Sequence, residues 1–403
     1  MLKKSRFNYV AKGTGGYLIY NNLYNSLSRL SEEEYVQYRE LKFETDDLQN
    51  DFVQQGFLID ESVNEIGVFN AYSKHLSNSL NPVPSITVTP TMECNARCFY
   101  CYEDGVRHGR MTRENAEKIV SFIKSLDVSK GVFITWFGGE PLMNQEWMDY
   151  FADLLRADEI KFSAFMISNG SKIDASVVDK MKKDWGISSI QISFDGDCEE
   201  YIRRKNFIDQ DEAIFVQMIQ KVKMLSDAGI AVQIRLNIDK NNVESILSLV
   251  KRLQQIFYSE SKVSYYPAFL TGKTSFLTER EKVDVIKKIM EIDENKFHIN
   301  NYLYKRPKNS ACYYYQKNAF SIDVSGDVFI CERALGRPER AVGNIEKNFD
   351  FVFKERELSG LRSECQNCPF LPKCHGGCNA AYNEGDVPCY IDKYIIKAYL
   401  ESI

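Results

Sequence analysis

The sequence predicts an α/β chain whose centre is a partial (β/α)6 barrel of TIM-like type, with a small α+β unit before it and a cysteine-rich region after it. Three observations carry this reading. Between Pro84 and about Tyr304, apolar β-rich runs alternate with amphipathic helical runs, the pattern by which βα units build a parallel sheet. The eleven cysteines are unevenly spread, seven of them after Tyr304. At 403 residues the chain is also longer than one hydrophobic core usually organises, so several domains are expected.

Residues 1–83 open with β-like runs at Phe7–Lys12 and Gly16–Asn21, joined by a GTGG turn. A helical stretch then starts at Ser31, where SEEE spells a capping box, and a second helical run covers Leu48–Ile59. In residues 84–304 the strand candidates are Ile86–Thr89, Val132–Phe137, Lys161–Ile167, Ser189–Phe194, Ala231–Asn237 and Val263–Ala268. Six such units suit a partial barrel better than a closed eight-stranded one. Residues 305–403 turn to cysteine-rich loops with one hairpin at Ala319–Cys331, turned by Ser325-Gly326.

The composition, 44% hydrophobic and 27% charged, is ordinary for a soluble protein. No run approaches the roughly eighteen apolar residues of a membrane span, and the opening MLKKSRFNYVAKGTGG lacks the apolar core of a signal peptide. A cytoplasmic location with no membrane partner is expected. The net charge of -5 offers no excess of clustered Lys and Arg for phosphates, which argues against nucleic acid as a partner. In a reducing cytoplasm the cysteines point to metal ligation instead of disulfides. The four histidines, His75, His108, His298 and His375, show no HxxxH spacing, so a mixed Cys/His zinc site is disfavoured.

Just after the first barrel strand, TPTMECNARCFYCYEDG places Cys94, Cys98 and Cys101 in C-x3-C-x2-C spacing. Such a loop can wrap three thiolates around one face of an iron–sulfur cube and leave the fourth iron open, at the strand ends where βα folds gather their active sites. A zinc site on the same three cysteines would lack its fourth ligand. With Tyr100 at the aromatic place before the third cysteine, the motif resembles the fingerprint of the radical S-adenosylmethionine superfamily. The resemblance implies a [4Fe-4S] cluster whose open iron takes S-adenosylmethionine, which makes Cys94, Cys98 and Cys101 catalytic as well as ligands. It further implies cofactor contacts from Tyr100 and from Gly138-Gly139-Glu140-Pro141, where two glycines would let the backbone approach the ligand and Glu140 would accept from its ammonium. Asn169, Ser193 and Asp195 are implied for its carboxylate and ribose, although Asn169 and Ser193 could equally cap the helices that follow. Arg235 and Asn237 are implied more weakly, and Arg203, Arg204 and Lys205 compete for the carboxylate.

The C-terminal pattern reads Cys312-x13-Gly326-x4-Cys331, then Cys365-x2-Cys368-x5-Cys374-x3-Cys378, then Cys389. Seven cysteines suit two metal centres better than one. The spacing resembles the SPASM extension of radical S-adenosylmethionine enzymes that modify peptides. That resemblance implies one auxiliary [4Fe-4S] cluster on Cys312, Cys331 and Cys378, and another on Cys365, Cys368, Cys374 and Cys389, for three clusters in all. Cys198 is left over and reads as an incidental thiol.

The N-terminal unit is similar to the winged-helix-like module with which peptide maturases recognise a precursor's leader, by adding it to an exposed strand edge. The implied activity is that of a peptide-modifying, oxidoreductase-type enzyme in ribosomal-peptide maturation. A 5′-deoxyadenosyl radical would take a Cα or Cβ hydrogen, and an intramolecular thioether to a Cys sulfur would follow, as in sactipeptide and ranthipeptide maturases. The implied partners are a leader-bearing precursor peptide and an external electron donor such as flavodoxin or ferredoxin. A carbon–carbon or carbon–oxygen crosslink, formylglycine formation on a sulfatase and, from another class, a zinc-binding scaffold are the alternatives.

Overall fold

The computed structural model describes residues 1–13, 15–79 (the side chains of 73–79 excepted), 83–106, 108–208, 212–257, 261–271, 275–293, 303, 318–346, 363–378, 389 and 391–403. The N-terminal elements are β1 (Leu2–Lys4), β2 (Asn8–Gly13), β3 (Gly16–Asn21), β4 (Ser26–Leu30), α1 (Glu32–Glu40), α2 (Asp46–Gln54), β5 (Leu58–Asp60) and α3 (Glu65–Ser79). β2, β3 and β4 form an antiparallel sheet with β3 in the middle, and β1 pairs separately with β5. The capping box at Ser31 forms as the sequence indicates. The run at Leu48–Ile59 does not stay helical to its end. Gly56 at φ 73° turns the chain, and Leu58–Asp60 gain backbone partners in β1 instead.

The barrel follows with β6 (Ser85–Thr91), α4 (Arg113–Lys124), β7 (Val132–Gly138), α5 (Gln145–Ala157), β8 (Phe162–Ser168), α6 (Ala175–Lys183) and β9 (Ile187–Phe194). It continues through α7 (Cys198–Lys205), α8 (Ile214–Asp227), β10 (Ala231–Ile238), α9 (Val243–Ile256), β11 (Val263–Phe269) and α10 (Glu279–Ile292). All six strand candidates of the barrel are strands, lined up in parallel in chain order. Period-two alternation sends Ile86, Val88, Ile134, Trp136, Ile190 and Val232 out to the helices, where they are fully buried. Burial of each such side chain is worth about 1.5–3 kcal/mol, and the alternate positions are left to face inward.

The hairpin β12 (Ala319–Ile322) and β13 (Asp327–Phe329) turns at Gly326, φ 77°. β12 pairs in parallel with β6, and β13 pairs antiparallel with β14 (Gly343–Asn344), so the barrel sheet grows to nine strands. The hairpin therefore belongs to the barrel sheet, across the boundary that the sequence pattern sets at residue 304. The helix Ile391–Leu400 packs against β2, β11 and α10. No described helix is long and apolar enough to cross a membrane.

Candidate active site at the strand ends

Parallel strands all end on one side, so the loops after β6 to β10 bring the sequence-predicted residues to one edge of the sheet. Cys94, Cys98 and Cys101 are each half-buried. The Ala96 N–H points at Cys94 Sγ across 3.4 Å, and Asn169 Nδ2 lies 3.7 Å from the same sulfur. Burial pushes the Cys94 thiol up to about 12 and the Cys101 thiol up to about 11, and raises Cys98 as well. Thiols so placed stay neutral unless a cation joins them, and iron is such a cation. Cys94 and Cys101 each lie within electrostatic reach of Cys98. Among the described residues no three His, Cys, Asp or Glu side chains are gathered for a single metal ion. A cubane asks for something looser, one thiolate on each of three irons, and an all-sulfur donor set with N–H groups on the sulfur fits it.

Gly138 and Gly139 stand where the backbone passes closest to the cysteine loop. A Cβ on Gly138 would stand 2.3 Å from the Thr91 carbonyl oxygen, and one on Gly139 would stand 2.3 Å from that of Glu93. Their bareness lets β7 run against the backbone of the cysteine loop, which Gly139 N–H and Glu140 N–H clasp at 3.1 and 2.8 Å. Glu140, 0% exposed, is likewise not presented to a ligand. Ser168 Oγ and the Leu142 N–H donate to its Oε1 at 2.8 and 3.1 Å, and the Asn169 N–H donates to Oε2 at 2.7 Å. It straps the ends of β7 and β8 together and caps the turn that Pro141 begins.

Asp195 is paired inside the fold. Its carboxylate, 0% exposed, lies 3.1 Å from Lys205 Nζ and accepts from Asn237 Nδ2 at 3.3 Å. Burial works against the Lys205 charge, but Asp195 and the nearby thiols hold its pKa above the usual lysine range. Lys205 Nζ also donates to Ser193 Oγ at 2.6 Å and to Tyr100 OH at 3.3 Å, and Asn237 Nδ2 donates to the same hydroxyl at 3.1 Å. Tyr100 is thus tied inward by its oxygen, with its ring edge-on to Phe99.

Of the competing basic residues, Arg203 pairs with Glu200. Arg204, 1% exposed, is locked 2.7 Å from the Asp239 carboxylate and 4.9 Å over the Phe99 ring. Arg235 donates from Nε to Asn237 Oδ1 at 2.9 Å. Of these four, among the described residues, only Arg235 has no carboxylate partner, which suits it to a ligand's carboxylate. Asn242 escaped the sequence reading. Buried at the start of α9, it donates to the carbonyls of Asp195 and Asn237 at 2.7 and 2.8 Å and holds the ends of β9 and β10 in step. A lone Asn after a strand gives no signal of that.

In the C-terminal region, Cys374 stands within electrostatic reach of Cys365, Cys368 and Cys389, and burial lifts its thiol to about 12. Cys331 follows the β13 hairpin and Cys378 follows Gly377, while Cys312 lies outside the described residues. Cys198 begins α7 behind its cap Asp197, off the cysteine loop.

Residues 88–253 match the Radical SAM superfamily, and that segment carries the cysteine loop at the tips of the parallel sheet. Over 190 residues, 40% of each chain, the protein is 26% identical to the radical SAM cyclopropyl synthase TigE of Paramaledivibacter caminithermalis, so the match spans less than half of that relative. Among solved structures it resembles Streptococcus suis SuiB bound to S-adenosylmethionine (17% identity, TM-score 0.54, 97% of this chain and 98% of that one). SuiB bound to precursor peptide SuiA superposes with a TM-score of 0.50 at 18% identity, over 98% and 99% of the two chains. The protein anSMEcpe with bound AdoMet gives 0.60 at 18% identity, over 79% of this chain and 95% of that one. At these identities the likeness is one of fold.

Proposed function

We propose that this protein is a radical S-adenosylmethionine peptide maturase that installs a thioether in a Cys-containing, ribosomally made precursor. The observation that carries the reading is the pairing of the strand-end cysteine loop with a three-stranded N-terminal sheet fastened to a second cysteine set. SuiB, whose fold this chain resembles nearly end to end, is a precursor-peptide complex in one of its structures, which supports a peptide as substrate.

When bound, the cluster and S-adenosylmethionine supply one-electron cleavage of a sulfonium and a carbon radical strong enough to take hydrogen from an unactivated carbon. The protein's own part is placement, since such a radical attacks whichever hydrogen lies nearest. Cys94, Cys98 and Cys101 would hold the cluster, and Arg235 would hold the cofactor carboxylate, with Asn169 and Ser193 on the accessible side of the same edge. Glu140, Asp195 and Asn242 keep the strand ends rigid behind them. Cys365, Cys368, Cys374 and Cys389 would hold one auxiliary cluster, with Cys331, Cys378 and Cys312 at the other, in a SPASM-type region. The leader would add to an edge of the N-terminal sheet, for which β4 is the strand that leads into α1.

The test is co-expression with small Cys-containing peptides, read by mass spectrometry. Loss of a pair of hydrogens, with the Cys no longer alkylatable, is the expected outcome. The same mass loss with a free thiol would favour a carbon–carbon or carbon–oxygen crosslink. Roughly twelve irons per chain are expected for three cubanes, and zinc in place of iron would overturn the reading in favour of a scaffold.

A further inference from the structure

Lys205 ends α7 and is 3% exposed. Its ammonium touches three groups: the Asp195 carboxylate at 3.1 Å, Ser193 Oγ at 2.6 Å and Tyr100 OH at 3.3 Å. Its carbonyl accepts from the Arg97 N–H at 3.0 Å and faces Cys98 Sγ at 3.7 Å. One residue therefore grips the cysteine loop on both sides of Cys98 and ties it to the end of β9. A hydrogen-bonding tether alone would not require a charge, and burying an ammonium is costly unless something uses it. What distinguishes a lysine from a neutral donor here is its positive charge behind the thiolates.

Resting on the radical S-adenosylmethionine reading, we propose that Lys205 is a positioning residue for the cluster on Cys94, Cys98 and Cys101, whose buried ammonium makes that cluster easier to reduce. Reduction adds one electron from an external one-electron donor and no proton, so the reduced cluster carries one more negative charge. A fixed cation beside it stabilises that form and raises its potential. Asp195 offsets part of the effect.

The experiment is a potentiometric titration of the anaerobically reconstituted holoenzyme. It is followed by electron paramagnetic resonance, with the first cluster read through the part of the signal that changes when S-adenosylmethionine is added. Lys205→Met, with unchanged iron content, should cut the ratio of reduced to oxidised first cluster about tenfold at a fixed potential, a downward shift of about 59 mV for a one-electron couple. Lys205→Arg should restore most of it. An unmoved midpoint in an iron-replete Lys205→Met overturns the proposal. Should that variant fail to fold or to load iron, Asp195→Asn decides: removing the counter-ion should shift the midpoint upward, and a downward or absent shift overturns it. A wild-type protein with no cofactor-responsive signal would defeat the radical S-adenosylmethionine reading itself and this proposal with it, an outcome distinct from an unmoved midpoint.

Discussion

The cysteine loop after β6 and the cysteine set at 365–389 use the same side chain in different surroundings. The first lies at the edge of a sheet, half-buried, backed on the inside by a polar network of Lys205, Asp195, Asn237 and Tyr100. In the second, Cys365 and Cys374 are buried and Cys368 and Cys389 half-buried, and parts of the N-terminal unit pack against it. Phe7 and Phe69 pack with Cys365 and Leu371 in one apolar cluster, and Phe69 also meets the His375 ring at 5.0 Å. Tyr9 lies 4.9 Å from Phe370, Arg6 donates to the Gln366 carbonyl, and Lys373 donates to Asn25 and lies over the Tyr20 ring. The difference teaches what each set rests on. Polar side chains back the first set, whereas aromatic side chains of the N-terminal unit pack against the second.

The comparison can be broken by substitution. The largest effect is expected from Cys101→Ala, which should abolish 5′-deoxyadenosine formation while the circular dichroism spectrum stays native, because the barrel core includes Ala96 and packs against Cys94 and Cys98 of the loop, and Cys101 is not among those residues. A variant that still cleaves the cofactor would remove the first site from the chemistry. Next, Asp239→Ala leaves the Arg204 guanidinium buried without its close partner; a loss of about 3–5 kcal/mol is expected in denaturant titration. A loss under about 1 kcal/mol would mean that Glu200 and the Phe99 ring suffice.

Phe370→Ala removes the ring against Tyr9 and should cost about 3–5 kcal/mol locally. Protease cleavage within residues 1–79 should then appear before cleavage in the barrel. Equal protection of both regions would show that the second site does not fasten the N-terminal unit. The smallest effect concerns acid. Burial pushes the Glu401 carboxyl up, but Lys287, Tyr9 and Arg280 bring it below the usual glutamate range. A depressed folded value means that its stabilisation is present above the unfolded pKa and lost as pH falls through the folded one. Hydrogen-exchange protection factors in β2, taken relative to intrinsic rates at each pH, should therefore fall in mild acid, and Glu401→Gln should flatten that dependence.

Much of this was legible along the chain. The six barrel strands are apolar runs with local periodicity, so their positions follow from neighbouring residues, and the cysteine spacings are local too. Gly56 shows the limit: helical periodicity runs on to Ile59, yet a glycine turn and a strand partner some fifty residues away, β1, convert Leu58–Asp60 into a strand. Long-range pairing likewise put the β12 hairpin into the barrel sheet beside β6.

By itself, then, the sequence settled which residues could ligate metal and which segments could be strands, since both depend on residue type and short spacing. Only the tertiary structure decided which polar groups are spent on pairs inside the fold. It buried Glu140 and Asp195 as braces, locked Arg204, placed Lys205 behind the thiols and left Arg235 without a carboxylate partner among the described residues. Burial and pairing of charge depend on strands and helices that are distant in the chain, and no local pattern encodes them.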